Sequence, residues 1–288
     1  MVSTELKHIC FIMDGNRTHT IMENLHGTDE DFNYHSYYSG AEALEKLMHM
    51  TFNELKVQYL TINLIGRENC VKRKSSARAI ANLVPHFFGD IWASFFKENE
   101  IRVKFVGDLD MFCNSSEDPE GLREEIKKVE ERTATFDKNH LIAMAAYDPA
   151  HEYGVFFGKI QTGAKLEIED WESYNQKRAG LTKLYYGFDV PRVDVMIRTW
   201  RPKLSAMVPI LVGEYADIYL FPAPFQIFDL AAYKKIAEDY KKRALTPDTE
   251  EIWHKGGNMP VRDHKEQIKA TKPVVIGSES EGVWLPCE

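Results

Sequence analysis

Cysteines are few in this sequence of 288 residues and long apolar runs are missing, and each shortage excludes a class of protein. No apolar stretch approaches the roughly 20 residues of a membrane span, and the first residues lack the layout of a signal peptide. The cysteines lie far apart without a Cys-x-x-Cys pair, which argues against a zinc site and suits reduced thiols. They are Cys10, Cys70, Cys113 and Cys287. We therefore expect a cytoplasmic protein without a transmembrane segment.

Familiar phosphate-binding motifs and an excess of basic residues are missing as well. Neither GxGxxG nor GxxxxGK[ST] occurs, so we expect neither a Rossmann-type dinucleotide site nor a P-loop phosphate site. The net charge is −8 and the pI is near 5.7, so we expect no nucleic-acid binding. An acidic protein that binds an anionic ligand must gather its bases locally.

The composition and the pattern of short apolar runs predict a single α/β domain. A hydrophobic fraction of 44% with 28% charged residues is ordinary for a soluble globular protein. Alternating strands and helices imply a mostly parallel central sheet of about six strands, flanked by helices. We place strands at 7–13, 57–65, 101–106, 141–146, 193–197 and 216–221, and helices at 39–51, 76–98, 119–136 and 229–243.

Two further segments are predicted to lie outside these elements. Residues 26–33 are acidic and rich in turn formers, so we expect a loop. Residues 245–288 are rich in Pro, Lys and Glu and are predicted to form a C-terminal extension to a domain spanning residues 1–244.

The stretch that organises the chain is the apolar run Lys7–Met13, which stops at Asp14-Gly15-Asn16-Arg17. A buried strand would deliver these four polar residues to one edge of the sheet, and glycine allows the sharp turn. If a helix follows, its free N–H groups favour a phosphate, and Mg²⁺ could link that phosphate to Asp14. The alternative is a polar turn after a core strand, without function.

Other polar clusters follow the later strands. Right-handed crossovers place the carboxyl ends of parallel strands along one rim, where ligands bind in such sheets. We therefore expect three more groups near Asp14. They are Arg67-Glu68-Asn69 after the second strand, the bases and hydroxyl of Arg198, Arg201, Lys203 and Ser205 after the fifth, and Asp217 in the sixth.

Taken together, five segments in this order resemble the cis-prenyltransferase family, which comprises undecaprenyl diphosphate synthase and its relatives. The resemblance runs from about residue 7 to about residue 243. The segments are Met13–Asn16, Glu68-Asn69, Val106–Leu109, Ile197–Thr199 and Tyr215–Phe221.

The resemblance implies a homodimeric enzyme that couples an allylic prenyl diphosphate to isopentenyl or dimethylallyl diphosphate. Mg²⁺ would bridge the first diphosphate to Asp14, with Asp217 as a second metal ligand. Asn16 and Asn69 match amides implicated in proton handling. Gly15 and Arg17 would hold the first diphosphate, and the second would be held by Arg198, Arg201, Lys203 and Ser205.

Several departures from the family pattern leave alternatives open. Family bases fall on Thr18, Asn33 and Tyr37, so His35 is the nearest imidazole to the first diphosphate. His151-Glu152 and Pro209 are similar to cyclolavandulyl diphosphate synthase, an irregular family member. One alternative is therefore irregular head-to-middle coupling, or cyclisation of the cation. Another is a non-catalytic subunit of a prenyltransferase complex.

Some candidate residues also have a plain structural reading. Phe88 and Trp92 would plug an apolar tunnel for the hydrocarbon, or simply belong to the core. His35, Glu68 and His151 are candidates for diphosphate contact, and a loop or surface position is the alternative for each.

Overall fold

Six strands, all parallel to their neighbours, form the central sheet of the computed structural model. The strands are β1 (His8–Ile12), β2 (Tyr59–Gly66), β3 (Ile101–Val106), β4 (Asn139–Tyr147), β5 (Val195–Thr199) and β6 (Asp217–Phe221). Their order in the sheet is β3-β4-β2-β1-β5-β6, which confirms the predicted fold class. The structure describes residues 5–23, 28–170, 173–202, 208–213, 215–244, 278–280 and 283–285.

Helices cover both faces of this sheet. The described residues form α1 (Asn16–Met22), α2 (Asp29–His49), α3 (Arg67–Lys72), α4 (Lys74–Val84), α5 (Ala93–Glu98), α6 (Leu109–Cys113), α7 (Pro119–Thr133), α8 (Pro149–Gln161), α9 (Tyr174–Tyr186) and α10 (Leu230–Ala244). None of these helices is long and apolar enough to cross a membrane.

The central strands are apolar because side chains of both faces are buried, as parallel sheets require. Every residue of β1 is buried. Ile9 and Phe11 belong to the core cluster on one face, whereas Cys10 and Ile12 belong to the cluster on the other. This alternation directs successive residues of each strand to different helical layers.

Helix α2 corrects the predicted loop at 26–33, since it begins at Asp29. Thr28 caps it, and its Oγ1 accepts a hydrogen bond of 3.2 Å from the Asp31 N–H. Acidic residues are favoured in the first turn of a helix, where they meet the positive end of the dipole. The acidic stretch is therefore a helix start.

The predicted helix at 76–98 is divided in the structure. Helix α4 ends at Val84, and a π-helical stretch, Pro85–Ile91, leads to α5. Pro85 has no N–H to donate to the α-helical ladder, so the regular pattern is interrupted where the π-helical stretch begins.

Helices α8 and α9 were not predicted, although a capping signal marks the start of α8. The Asp148 carboxylate accepts hydrogen bonds from the backbone N–H groups of Ala150, at 2.8 Å, and His151, at 3.1 Å. Pro149 occupies the first helical position, where proline is favoured. Near the C-terminus, Ser278–Ser280 and Val283–Leu285 form a separate antiparallel pair of strands.

Candidate active site

The turn after β1 is fixed against the neighbouring strand β5. The Asp14 N–H donates to Thr199 Oγ1, and this hydroxyl donates back to the Asp14 carbonyl, both at 2.8 Å. The Phe225 N–H donates to the same carbonyl at 3.1 Å. The Gly15 N–H donates to Asp14 Oδ1 at 2.8 Å, which orients the carboxylate. Asp14 is thus held by the backbone of its own turn and by β5.

Gly15 is required by both conformation and space. Its φ is 94°, in the left-handed region, and it directly precedes helix α1. A Cβ at this position would lie 2.7 Å from Pro224 Cα and 3.1 Å from Trp200 Cβ. The backbone after β1 can therefore lie this close to Pro224 only because residue 15 is a glycine.

Arg198, at the end of β5, forms an ion pair with Asp14. Its Nη2 donates to Asp14 Oδ2 at 2.6 Å, and its Nε donates to the Arg201 carbonyl at 2.9 Å. The Arg198 side chain is 4% exposed, whereas the Asp14 side chain is 39% exposed. Two residues predicted for separate diphosphates therefore touch each other. The Arg201 side chain lies at the surface.

The donor set at Asp14 fits Mg²⁺ bound jointly with a substrate. Asp14 Oδ1 accepts from the Gly15 N–H and Oδ2 accepts from Arg198, and each oxygen has a further lone pair for a metal ion. Mg²⁺ usually binds proteins through one or two carboxylates plus substrate phosphates. Among the described residues, no group of three or more His, Cys, Asp or Glu side chains could hold an ion by itself. Asp14 would thus supply one ligand, and substrate oxygens and waters would supply the others.

Asp217 does not lie beside Asp14 in this chain, so the structure does not bring the two predicted metal ligands together, and a metal-binding role for Asp217 stays a prediction. Asp217 is the first residue of β6 and pairs with Val195, the first residue of β5. Asp14 contacts Thr199 at the other end of β5, which at 3.3 Å per residue is about 13 Å away. The carboxyl end of β6 is Phe221, which pairs with Thr199 at the end of β5 that contacts Asp14.

Asn16 is positioned by a residue that sequence reasoning missed. Gln226 Nε2 donates to Asn16 Oδ1 at 2.9 Å and to Ser39 Oγ at 3.1 Å. The Asn16 amide also lies against Gly40, where an added Cβ would meet its Oδ1 at 2.8 Å. Gln226 lies in a turn rich in Pro and Phe, and nothing in that sequence signals its role.

The predicted first-diphosphate residues on α1 and α2 point to different surroundings. The Arg17 guanidinium lies 5.8 Å from the centre of the Phe32 ring, near the surface. His35 is exposed and packs against Tyr34. Asn33 is buried, and its Oδ1 accepts from Ser76 at 3.1 Å. The structure therefore does not place His35 with Asp14, and it gives Asn33 a role in joining α2 to α4.

A second polar cluster follows β2, β3 and β4. Arg67 Nε donates to Asp108 Oδ2 at 3.1 Å, and His151 Nε2 lies 4.0 Å from the same oxygen. Burial alone would raise the pKa of Asp108, but the Met111 N–H, Arg67 and His151 together lower it. This cluster keeps His151 beside a carboxylate.

Glu68 and Asn69 lie on α3 next to this cluster. Glu68 is exposed and pairs with Lys72 on the surface of the helix, so the structure does not place it in a pocket. Asn69 is half-buried, and its carbonyl accepts the Arg73 N–H. A role for the Asn69 amide in proton handling stays a prediction.

An apolar cavity of about 520 Å³, including its opening to solvent, begins beside the Asp14 turn. Phe88 and Trp92 lie in its wall, as the tunnel hypothesis requires, and both also belong to the buried core. The Trp92 Nε1–H donates to Glu45 Oε2 at 3.1 Å, which fixes the indole. The other lining residues include Met13, Asn16, Tyr37, Leu44, Leu64, Ile80, Leu83, Phe87 and Phe225.

Two of the predicted site residues, Lys203 and Ser205, lie outside the described residues. Their roles stay predictions. Their neighbours on either side, up to Pro202 and from Val208, are described.

Known sequences resemble this chain over most of its length. A sequence profile of the family described as "Putative undecaprenyl diphosphate synthase" matches residues 12–246. An isoprenyl transferase of Treponema denticola is 24% identical over 243 residues, covering 84% of this chain and 97% of that protein.

Two solved structures share the fold. Lavandulyl diphosphate synthase from Lavandula x intermedia, in complex with dimethylallyl diphosphate, has a TM-score of 0.66 at 16% identity and covers 83% of this chain and 96% of its own. A probable undecaprenyl diphosphate synthase from Campylobacter jejuni has a TM-score of 0.58 at 22% identity and covers 82% of this chain and 95% of its own.

Proposed function

The chain belongs to the undecaprenyl diphosphate synthase family as a divergent cis-prenyltransferase, and from that premise we propose that it couples two short prenyl diphosphates with release of pyrophosphate. The observation that carries the proposal is the Asp14–Arg198 pair beside an apolar cavity. A charged rim would bind the diphosphates, and the cavity would bind the hydrocarbon.

The reaction breaks the bond between C1 and oxygen of an allylic diphosphate. The double bond of the second substrate attacks the allylic cation, and a proton is then lost. Bound Mg²⁺ would supply Lewis-acid neutralisation of the leaving pyrophosphate. Asp14 would hold this ion, and Gly15 and Arg17 would border the same diphosphate. Asn16 and Asn69 would act on the departing proton.

Arg198 would contact the second diphosphate, because a guanidinium gives bidentate and permanently charged contacts. Its burial and its bond to the Arg201 carbonyl hold it in one orientation. We propose that Arg201, Lys203 and Ser205 complete this second site. Their place in the chain directly after β5 supports this assignment.

The function is tested by mass analysis of the products. Purified protein with Mg²⁺ is given dimethylallyl diphosphate alone, and then with isopentenyl diphosphate added. Pyrophosphate release and a linear, longer product only in the second incubation support regular elongation. Asp14→Asn is the control for contaminating activity. No pyrophosphate release from any prenyl diphosphate contradicts the proposal and favours a non-catalytic subunit.

Irregular head-to-middle coupling is the second candidate. The likeness in fold to lavandulyl diphosphate synthase favours it, as does the loss of bases at Asn33 and Tyr37. A branched product from dimethylallyl diphosphate alone supports this mode and excludes simple elongation as the only activity.

We propose a homodimer that uses the edge strand β6. Ile218 and Leu220 are 48% and 46% exposed there, which is unusual for large apolar side chains on a sheet edge. Leu220→Glu should shift the mass measured by light scattering toward one chain. Ile91→Glu, at a 42% exposed position elsewhere, is the matched control. Equal behaviour of both variants contradicts this interface.

We also propose a prenyltransferase domain at 1–244 with an extension at 245–288, and a cytoplasmic location. The family match, which ends at 246, supports the boundary. Free, buried thiols at Cys10, Cys70 and Cys113 support a reducing compartment.

A further inference from the structure

Two consecutive phenylalanines of the cavity wall, Phe87 and Phe88, lie in the π-helical stretch Pro85–Ile91. The Trp92 N–H donates to the Phe87 carbonyl, five residues earlier, at 2.8 Å. In a regular α-helix this N–H would instead donate to the Phe88 carbonyl, four residues earlier. The wider turn therefore changes which carbonyl accepts the hydrogen bond of the helix itself.

Arg132, in the last turn of α7, contacts the carbonyls of this turn from outside the cavity. Its Nη2 donates to the Phe88 carbonyl in a short hydrogen bond, and its Nη1 donates to the Gly89 carbonyl at 2.9 Å. A guanidinium presents its donors in a fixed fork, so one side chain can bind two adjacent carbonyls. Arg132 thus gives Phe88 the donor that Trp92 would give it in an α-helix.

Trp92, which directly follows the π-helical stretch, is fixed by another helix. Its Nε1–H donates to Glu45 Oε2 of α2 at 3.1 Å, and the residue is 1% exposed. Its ring centre lies 5.1 Å from that of Phe87 and 4.8 Å from that of Phe88. Because Trp92 is held in place, a change of helical register would have to occur before it, at Phe87 and Phe88. We call Phe87, Phe88 and Trp92 the aromatic wall.

We propose that Arg132 is a positioning residue that keeps the aromatic wall in its π-helical register and thereby limits the length of hydrocarbon that the cavity binds. The inference rests on the proposed function, because it requires the cavity to bind a prenyl chain. Without the guanidinium, the α-helical bond from Trp92 to the Phe88 carbonyl becomes favourable. A change from π to α register moves a side chain by one residue, or about 100° around the helix axis, and so moves Phe88 from its place in the wall.

The test measures the binding of geraniol, farnesol and geranylgeraniol by isothermal titration calorimetry. These prenyl alcohols differ in length and carry no diphosphate, so their binding requires neither Mg²⁺ nor turnover. Arg132→Met keeps an unbranched side chain but removes both donors. The ratio of the Kd for geraniol to the Kd for geranylgeraniol should rise about 3- to 10-fold in this variant, the effect of losing one hydrogen bond.

Arg123→Met is the matched control on the same helix. Arg123 donates to Glu120 Oε1 at 2.7 Å and to Asn114 Oδ1 at 2.9 Å, and these residues lie outside the aromatic wall. We expect similar small decreases in Tm for both methionine variants, but an unchanged ratio of Kd values for Arg123→Met. Arg132→Lys keeps the charge with a single ammonium group, and its ratio should lie between those of the natural protein and Arg132→Met.

A purely structural role of Arg132 would lower the Tm without changing the ratio of Kd values, and this result overturns the inference. If Arg132→Met does not fold, Arg132→Lys decides in the same way. Failure of the natural protein to bind any of the three alcohols also overturns the inference, since the cavity would then bind no hydrocarbon.

Product analysis separates failure of the inference from failure of the proposed function. With dimethylallyl and isopentenyl diphosphates and Mg²⁺, Arg132→Met should give longer products than the natural protein and Arg123→Met. If the natural protein forms products but the ratio of Kd values is equal in all variants, the positioning role is wrong and the proposed function stands. If no protein releases pyrophosphate but Arg132→Met still changes the ratio, the proposed function is wrong and the positioning role stands.

Discussion

Loss of the ion pair between Asp14 and Arg198 should lower the stability of the protein as well as its activity. The guanidinium is 4% exposed and the carboxylate 39% exposed. Removing one partner of a fully buried pair costs about 3–5 kcal/mol, whereas an exposed pair contributes about 0–1 kcal/mol. Because Asp14 is partly solvated, we expect Asp14→Ala to lower the free energy of unfolding by about 2 kcal/mol.

The expected loss of unfolding free energy can be measured as a change in Tm, and it should be smaller for Asp14→Asn than for Asp14→Ala. A loss of about 2 kcal/mol corresponds to a Tm lower by roughly 4–8 °C for a domain of this size. Asp14→Asn keeps an acceptor for Arg198 and should lose about 1 kcal/mol. All these variants should remain folded at room temperature. Both Asp14 variants should nevertheless lower kcat for pyrophosphate release by at least about 100-fold, since they remove the carboxylate proposed to bind the metal.

A double-mutant cycle isolates the pair. Asp14→Ala, Arg198→Met and the double variant are unfolded in urea, and pyrophosphate release with Mg²⁺ is measured for each. We expect a coupling energy of about 1–2 kcal/mol between the two sites. A coupling energy near zero would refute the stabilising pair. Asp14→Asn with activity within about tenfold of the natural protein would refute the metal-binding role.

Three further predictions concern the cavity, Asn16 and acid stability. Phe88→Ala should lengthen the products seen by mass spectrometry and cost about 3–5 kcal/mol in urea unfolding, whereas Phe96→Ala, in the core but not the cavity wall, should cost as much without lengthening them. Gln226→Leu should lower kcat as Asn16→Ala does, in the same steady-state assay, because it frees the Asn16 amide. Burial lowers the pKa of His8 to about 4, so stability should fall by about 3 kcal/mol as pH falls from 6.5 to 4, in urea titrations at each pH.

Each of these has an outcome that contradicts it. Equal product lengths from the two phenylalanine variants would make Phe88 plain core. Full activity of Gln226→Leu alongside an inactive Asn16→Ala would show that the amide needs no support. The sign for His8 follows from its neutral native form: the unfolded chain binds the extra proton below pH 6.5, so acid favours unfolding. A flat profile that His8→Asn does not change would reject that assignment.

The strands, and the polar residues that follow several of them, could be predicted from the sequence. Strands buried on both faces appear as short apolar runs, which are easy to recognise. The run at 7–13 contains β1, and the polar residues after it lie where parallel topology puts them. Asp217 was counted among the polar groups at the strand ends, although the predicted strand 216–221 continues beyond it. Its pairing with Val195, the first residue of β5, shows that it occupies the start of β6.

Contacts between residues that are distant in the chain could not be predicted from sequence patterns. Gln226 meets Asn16 across 210 residues of chain, and Tyr147 meets Ile210 across 63. Such contacts join residues far apart in the chain and depend on tertiary packing, so neither periodicity nor a local motif reports them. Helices α8 and α9 are different, since the Asp148-Pro149 start of α8 was available as a capping signal.

The contact between Asp14 and Arg198 also constrains how two diphosphates can be bound together. The two were assigned to different diphosphates, yet a hydrogen bond of 2.6 Å joins them. The two diphosphate sites would therefore be adjacent, with the Asp14–Arg198 pair between them. Like charges about 7 Å apart repel by about 2 kcal/mol per pair at an effective dielectric constant of 20. A diphosphate on each side is thus tolerable only with cations between them. The Arg198 guanidinium would serve both sides, so its loss should weaken the binding of both substrates, whereas loss of Arg17 should weaken the binding of the first substrate alone.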